Sequence, residues 1–188
     1  MNDLLLNLIL TLDASFRVCT PLIFASMAGL FAERSGVVDI GLEGKLLMSA
    51  FIAASAASVF GSPWLGLMFA IFASCLFAMI HGVASITFKG NQIVTGVAIN
   101  ILAPGLTMIL TLAWFKSGGV TPSLKPDERF LSITLPGVDI IDHIPILGVI
   151  YRELISGHNI IVYLAFATVP LVWWIVFRTR FGLQLRAV

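Results

Sequence analysis

Apolar residues in this chain gather into long runs instead of alternating with polar ones. Five runs stand out, at residues 18–32, 45–60, 64–88, 92–115 and 160–177. Runs of this length without a period of two predict membrane-crossing helices, because in lipid only helices or closed barrels satisfy the backbone. Polar punctuation agrees with the boundaries. Ser62-Pro63 reads as an N-cap followed by proline at the first helical position. Asn91 and Asn159 are placed to cap the fourth and fifth runs, and Pro104 and Pro170 fall inside runs, where kinks are expected. A shorter apolar stretch, residues 2–12, predicts a short N-terminal helix, interfacial or partly inserted into the membrane. It has no lysine or arginine before Arg17, so it lacks the basic region of a secretory signal.

Composition strengthens this reading. Of 188 residues, 59% are hydrophobic and only 11% charged, against about 25% charged in an average soluble domain. Such a chain has too little polar surface to cover a soluble fold. The expected class is an all-α integral membrane protein, a polytopic bundle of about five transmembrane helices, with a break in one of them left open. The net charge of +1 and the absence of basic runs argue against nucleic acid as a partner. Cys19 and Cys75 lie in apolar runs and read as small buried side chains, with neither metal spacing nor a disulfide framework.

Orientation follows from lysine and arginine near the run ends. With the tail RTRFGLQLRAV and Lys89 placed in the cytoplasm, Arg34, Lys45, Lys89, Arg178, Arg180 and Arg186 lie inside. Arg17, Lys116, Lys125, Arg129 and Arg152 lie outside. Residues 116–158 then form the long external connection, and its stretch IPILGVIYRELI predicts a short helix on the surface. Small residues recur every four positions at Gly66, Ala70, Ser74, Ala78 and Gly82, and at Ala50, Ala54 and Ser58. Such stripes let membrane helices pack closely, which places these two helices deep in the bundle.

The stretch ERSGVVDIGLEG, between the first two runs, sets Asp39 and Glu43 among Gly36, Gly41 and Gly44. The flanking runs cover 15 and 16 residues, roughly 23 Å of helix against a hydrocarbon core of about 30 Å. The first reading is a cytoplasmic loop with a capping aspartate; the alternative, to which short, glycine-interrupted segments point, is a broken membrane helix beside a solute path. Asp39 is expected to cap a helix beginning near Ile40, with Glu43 in its first turn, on the same helix face. His81 and Asn100, inside the third and fourth runs, are further candidates for the path. A single bond to a neighbouring helix also accounts for His81, and a bond to the carbonyl freed by Pro104 for Asn100. Gln92 and Thr95 read as capping or interhelical residues. Trp64, Trp114, Trp173 and Trp174 read as interfacial anchors. The sequence holds no zinc-protease motif, no nucleophile elbow and no phosphate-binding loop, so neither catalysis nor a cofactor or metal is expected.

Four segments in order, ERSGVVDIGLEG, KGNQIVTGVAINILAPGLT, LPGVDIIDHIPILG and FRTRFGLQLRAV, resemble the permease subunits of bacterial ABC importers for nucleosides or simple sugars. This is the branch partnered by a BMP-type lipoprotein, and ribose-type permeases are similar in the same order. The resemblance covers nearly the whole chain. It implies a multi-pass subunit of the bacterial cytoplasmic membrane, with a second permease subunit, a cytoplasmic ATPase and an external solute-binding lipoprotein as partners. ATP hydrolysis falls to the ATPase. Asp39, Glu43, His81 and Asn100 are then candidates for the solute path, and Arg178, Arg180 and Arg186 for coupling to the ATPase. The family resemblance also implies about twice as many spans. Residues 1–188 are therefore expected to be the N-terminal part of a longer permease domain, from a split or truncated gene or a cut chain. The rival readings are a non-transporting remnant and an intramembrane enzyme using Asp39, Glu43 and His81.

Overall fold

The structure, a computed structural model, describes residues 3–135 and 151–187. Its regular elements are helices: α1 (Asp3–Arg34), α2 (Leu42–Phe60), α3 (Pro63–Gly82), α4 (Gln92–Phe115), α5 (Ile160–Arg178) and the short α6 (Arg180–Arg186). Among the described residues the only β pairing is an isolated bridge between Ser132 and Asn159. Among the described residues five helices are long and apolar enough to cross a membrane: Asn7–Arg34, Leu42–Phe60, Pro63–Thr87, Gln92–Phe115 and Ile160–Arg178. The outer faces fit that solvent. Ile101 is 72% exposed, Ile109 66% and Phe72 62%, a surface that hydrocarbon tolerates and water does not.

The N-terminal region differs from the expectation. The interfacial helix and the first run are one continuous helix of 32 residues. The polar residues between them close their bonds within the helix instead of ending it. Arg17 Nη2 lies 3.0 Å from Asp13 Oδ2, one turn away. The hydroxyls of Thr11, Ser15 and Thr20 donate to the carbonyls of Asn7, Thr11 and Phe16 at 2.7–2.9 Å. The first span is therefore not short, and α2, at 19 residues, is long enough to cross about 28 Å.

The caps are where the sequence places them. Asn91 Oδ1 accepts from Ile93 N and Val94 N and Asn159 Oδ1 accepts from Val162 N, while Ser62 takes the N-cap position before Pro63 without a capping bond from its side chain. α4 and α5 continue through Pro104 and Pro170. α3 runs on as a π-helical turn, Val83–Thr87. In the connection, Pro126–Glu128 forms one 3₁₀ turn and Tyr151–Ile155 a π-helical turn. The rest of the expected surface helix, residues 144–150, lies outside the described residues.

By contact the chain divides into two compact units, one of Met1–Met27 and Phe130–Thr179, the other of Ala28–Arg129 and Arg180–Val188. In the first, Phe16 meets Phe166 edge to face at 5.5 Å, and Val162, Ala165, Val172 and Val176 line the buried face of α5. In the second, Met48, Phe51, Phe77, Ile99 and Ala103 form the core between α2, α3 and α4.

The small-residue stripes are only partly at the interface. The buried face of α3 is Gly66, Ala70, Ala73, Phe77 and His81, which follows the helical period of 3.6. A strict spacing of four drifts off that face, so Ala78 is exposed and nothing lies near a Cβ built on Gly82. In α2 the buried residues are Gly44, Lys45, Met48, Phe51, Ser55, Ala56 and Ala57, while Ala50 is exposed. Cys19 and Cys75 also depart from expectation, since both are exposed; in hydrocarbon a small apolar side chain gains little by facing inward.

Candidate functional site

The glycines between α1 and α2 build a sharp, non-helical crossing. Gly36 takes a left-handed φ of 76°. Gly36 N donates to Glu33 O and Val37 N to Ala32 O, at 3.1 and 3.0 Å. This is the Schellman arrangement that ends a helix and satisfies its last carbonyls. The chain then runs to Gly41, which stands at the N-cap of α2 without a side-chain cap. Asp39 therefore does not cap a helix starting near Ile40. Its carboxylate is taken by Lys45 Nζ, which is bonded to Oδ2, while Oδ1 accepts from Gly41 N at 3.2 Å. Glu43 lies in the first turn of α2 as expected. It is exposed, and Asp39 precedes the helix, so the two carboxylates do not share a helix face.

This crossing is held along the first turns of α4. A Cβ built on Gly44 would sit 2.7 Å from Ile99 O and 3.0 Å from Asn100 Cα, and one on Gly96 3.0 Å from Gly41 N. Only glycine lets the backbones come this close. Asn100 clasps the crossing with both ends of its amide. Oδ1 accepts from Gly44 N at 2.8 Å, and Nδ2 donates to Ile40 O at 3.0 Å. A backbone N–H demands the amide oxygen and a carbonyl demands the nitrogen, so the partners dictate the orientation of the amide. Gln92 Oε1 adds a bond from Val38 N at 2.7 Å.

Behind the crossing lies a buried polar cluster. Lys45 is 5% exposed and His81 3%. His81 Nδ1 is 3.2 Å from Thr95 Oγ1, which donates its one hydrogen to Gln92 O at 3.0 Å. Among the described residues His81 Nε2 has no hydrogen-bond partner, and it lies 3.9 Å from Asp39 Oδ1. The structure thus brings Asp39, His81 and Asn100 together around the crossing and leaves Glu43 on an exposed face.

Sequence reasoning missed Lys45, which it counted only as a cytoplasmic charge at the start of the second run. The available signal was its position three residues into an apolar helix, six after an aspartate and across two glycines. A comparable group in the other unit was also missed. There Asp13, paired with Arg17, lies 3.6 Å from Nδ1 of buried His158, whose Nε2 is 3.1 Å from Leu154 O.

The three coupling candidates sit at the end of the chain. Arg178 lies over the Trp173 ring at 5.7 Å from its centroid. Arg180 opens α6 and is exposed. Arg186 Nε donates to Gly182 O at 3.2 Å.

Comparisons with known proteins bear on what such a crossing serves. The chain is 37% identical to the guanosine ABC transporter permease protein NupQ of Bacillus subtilis, over 99% of this chain and 57% of that protein. It is 35% identical to the nucleoside ABC transporter permease protein NupC of Lactococcus lactis, over 90% of this chain and 52% of that one. A Haloferax volcanii protein, TsgC13, provisionally named a glucose ABC transporter permease, is 33% identical over 94% of this chain and 50% of its own length. The chain thus spans about half the length of the curated relatives it matches. No solved structure matches it. Residues 11–188 match the family model of the branched-chain amino acid transport system permease component. The chain belongs to that family of permeases, and its membrane-length helices fit a multi-pass member of it.

Proposed function

We propose that this chain serves as a permease subunit of an ABC importer that carries nucleosides across the bacterial cytoplasmic membrane. The observation that carries this reading is the 37% identity to a guanosine permease over 99% of the chain. The permease supplies the passage. A separate cytoplasmic ATPase supplies the energy, a solute-binding lipoprotein delivers the nucleoside, and a second permease subunit completes the path. The crossing at residues 35–41, with α4 behind it, forms part of the passage wall, and Asp39, His81 and Asn100 set its shape. Glu43, on the exposed side of α2, is the carboxylate placed to face solute or a partner. The basic tail from Arg178 to Arg186 faces the ATPase.

The test is uptake of labelled guanosine by the complete transporter containing this chain, in cells lacking their own nucleoside uptake. Saturable uptake that other nucleosides compete away and glucose does not supports the reading. Competition by glucose alone assigns the chain to sugar transport, the class named for the Haloferax relative, and overturns the nucleoside assignment.

A further inference from the structure

Lys45 has no part in the passage described above, yet it is a charged side chain only 5% exposed, in the first turns of a membrane-length helix. We propose that Lys45 is a positioning residue. Its ammonium group locks Asp39 and so holds residues 35–41 in one conformation against α4. Asp39 then acts on the passage through the shape of this crossing and does not touch solute.

The geometry supports this in three ways. Both carboxylate oxygens of Asp39 are engaged, Oδ2 by Lys45 Nζ and Oδ1 by Gly41 N. The Asp39 side chain is 12% exposed and that of Lys45 6%, so the pair has little surface left to offer a ligand. The lock also joins the parts that must stay together. Asp39 belongs to the non-helical crossing and Lys45 to α2, and Asn100 binds α4 to two backbone groups that lie between them in the chain, Ile40 O and Gly44 N. Burying two charges is costly, and removing one partner strands the other in a medium of low polarity. Replacing both by neutral groups of similar size avoids that penalty.

The uptake arm of the test rests on the permease reading, whereas the stability arm does not. Three variants, Asp39→Asn, Lys45→Met and the double Asp39→Asn/Lys45→Met, are made in the complete transporter. Maximal uptake rate, half-saturating nucleoside concentration and melting temperature in detergent are measured for each. Lys45→Met is expected to lower the melting temperature and cut maximal uptake about tenfold or more, as an unpaired buried carboxylate would. The double variant is expected to recover most of both losses with an unchanged half-saturating concentration, because the two substitutions are coupled through one contact. A double variant that melts like the wild type but needs about tenfold more nucleoside to half-saturate puts Asp39 in contact with solute and overturns the proposal. So does a Lys45→Met variant that melts and transports like the wild type. Absence of nucleoside uptake by the unmodified transporter overturns the permease reading instead. The melting comparison then decides the lock, and a double variant no more stable than Lys45→Met overturns it.

Discussion

Gly44 shows how little room a residue can have in this protein. A methyl group there would lie 2.7 Å from the carbonyl oxygen of Ile99, and backbone cannot swing aside as a flexible side chain can. Gly44→Ala is expected to destabilise the unit of α2, α3 and α4 by about 1–3 kcal/mol, the usual cost of overpacking, read as a lower melting temperature of the purified protein. Asn100 gives a second case. Asn100→Leu leaves Gly44 N–H and Ile40 C=O without their partners, each worth about 1–3 kcal/mol where water cannot replace them. The expected result is a melting temperature lowered by more than Gln92→Leu lowers it, since Gln92 holds one backbone group, Val38 N, and Asn100 holds two. Equal effects from the two variants would show that Asn100 does not hold the crossing. The presence of a polar residue at 100 was legible in the sequence, but its task was not. Pro104 four residues on offered a nearer explanation, and the true partners lie 56 and 60 positions away.

At the scale of elements, helix starts were the easiest features to read and helix faces the hardest. Asn91 and Asn159 cap locally, through bonds to residues two or three positions on, so a short window of sequence contains the whole cause. The merger of residues 2–12 with the first run was missed because the polar residues Asp13, Ser15 and Arg17 look like an end, although one-turn bonds such as Arg17–Asp13 satisfy them inside a continuing helix. The stripe on α3 was half right for a geometric reason. Four-residue spacing turns the helix by about 400°, so it slips by about 40° at each step. Only Gly66 and Ala70 of that stripe stay on the buried face. Gly66 therefore should not tolerate a methyl group, which would meet Ala53 O at 2.7 Å, whereas nothing lies near one on Gly82. Gly66→Ala is expected to weaken α2–α3 packing and lower the melting temperature. Gly82→Ala is expected to leave it unchanged or raise it slightly, since alanine favours helix by about 1 kcal/mol over glycine. A matched loss from both variants would remove the assigned interface.

At the scale of the whole molecule the open quantity is which way the chain sits in the membrane. Counting lysines and arginines placed the basic tail inside by a margin of one. The buried Lys45 leaves that count and so does Arg17, held by Asp13, but they fall on opposite sides and the margin is unchanged. The tail, with Arg178, Arg180 and Arg186, therefore still decides the orientation. Val120→Cys, in the long connection and 68% exposed, is expected to react in intact cells with a maleimide that does not cross membranes. Ala187→Cys is expected to react only after the cells are opened. The parent for both is a variant with Cys19 and Cys75 replaced by serine, because both cysteines are exposed. Labelling of Ala187→Cys from outside would reverse the orientation and leave the proposed ATPase partner no surface at the tail.

The class of this protein, its membrane helices and most of their starts follow from the chain alone. Hydropathy over about 20 residues and capping over three or four are local, and local causes survive in a linear sequence. The resemblance that pointed to importer permeases is of the same kind, since ordered short motifs are visible without knowing what they touch. What only the tertiary structure decided is which side chains share a contact: Lys45 with Asp39 across a glycine turn, His81 with Thr95, Asn100 with the backbone of a crossing far behind it. In hydrocarbon no water competes for these groups, so each takes whichever partner the packing of the helices brings near. That packing turns on small differences in helix phase and on the places where glycine removes a side chain, and neither is written in any short stretch of the sequence.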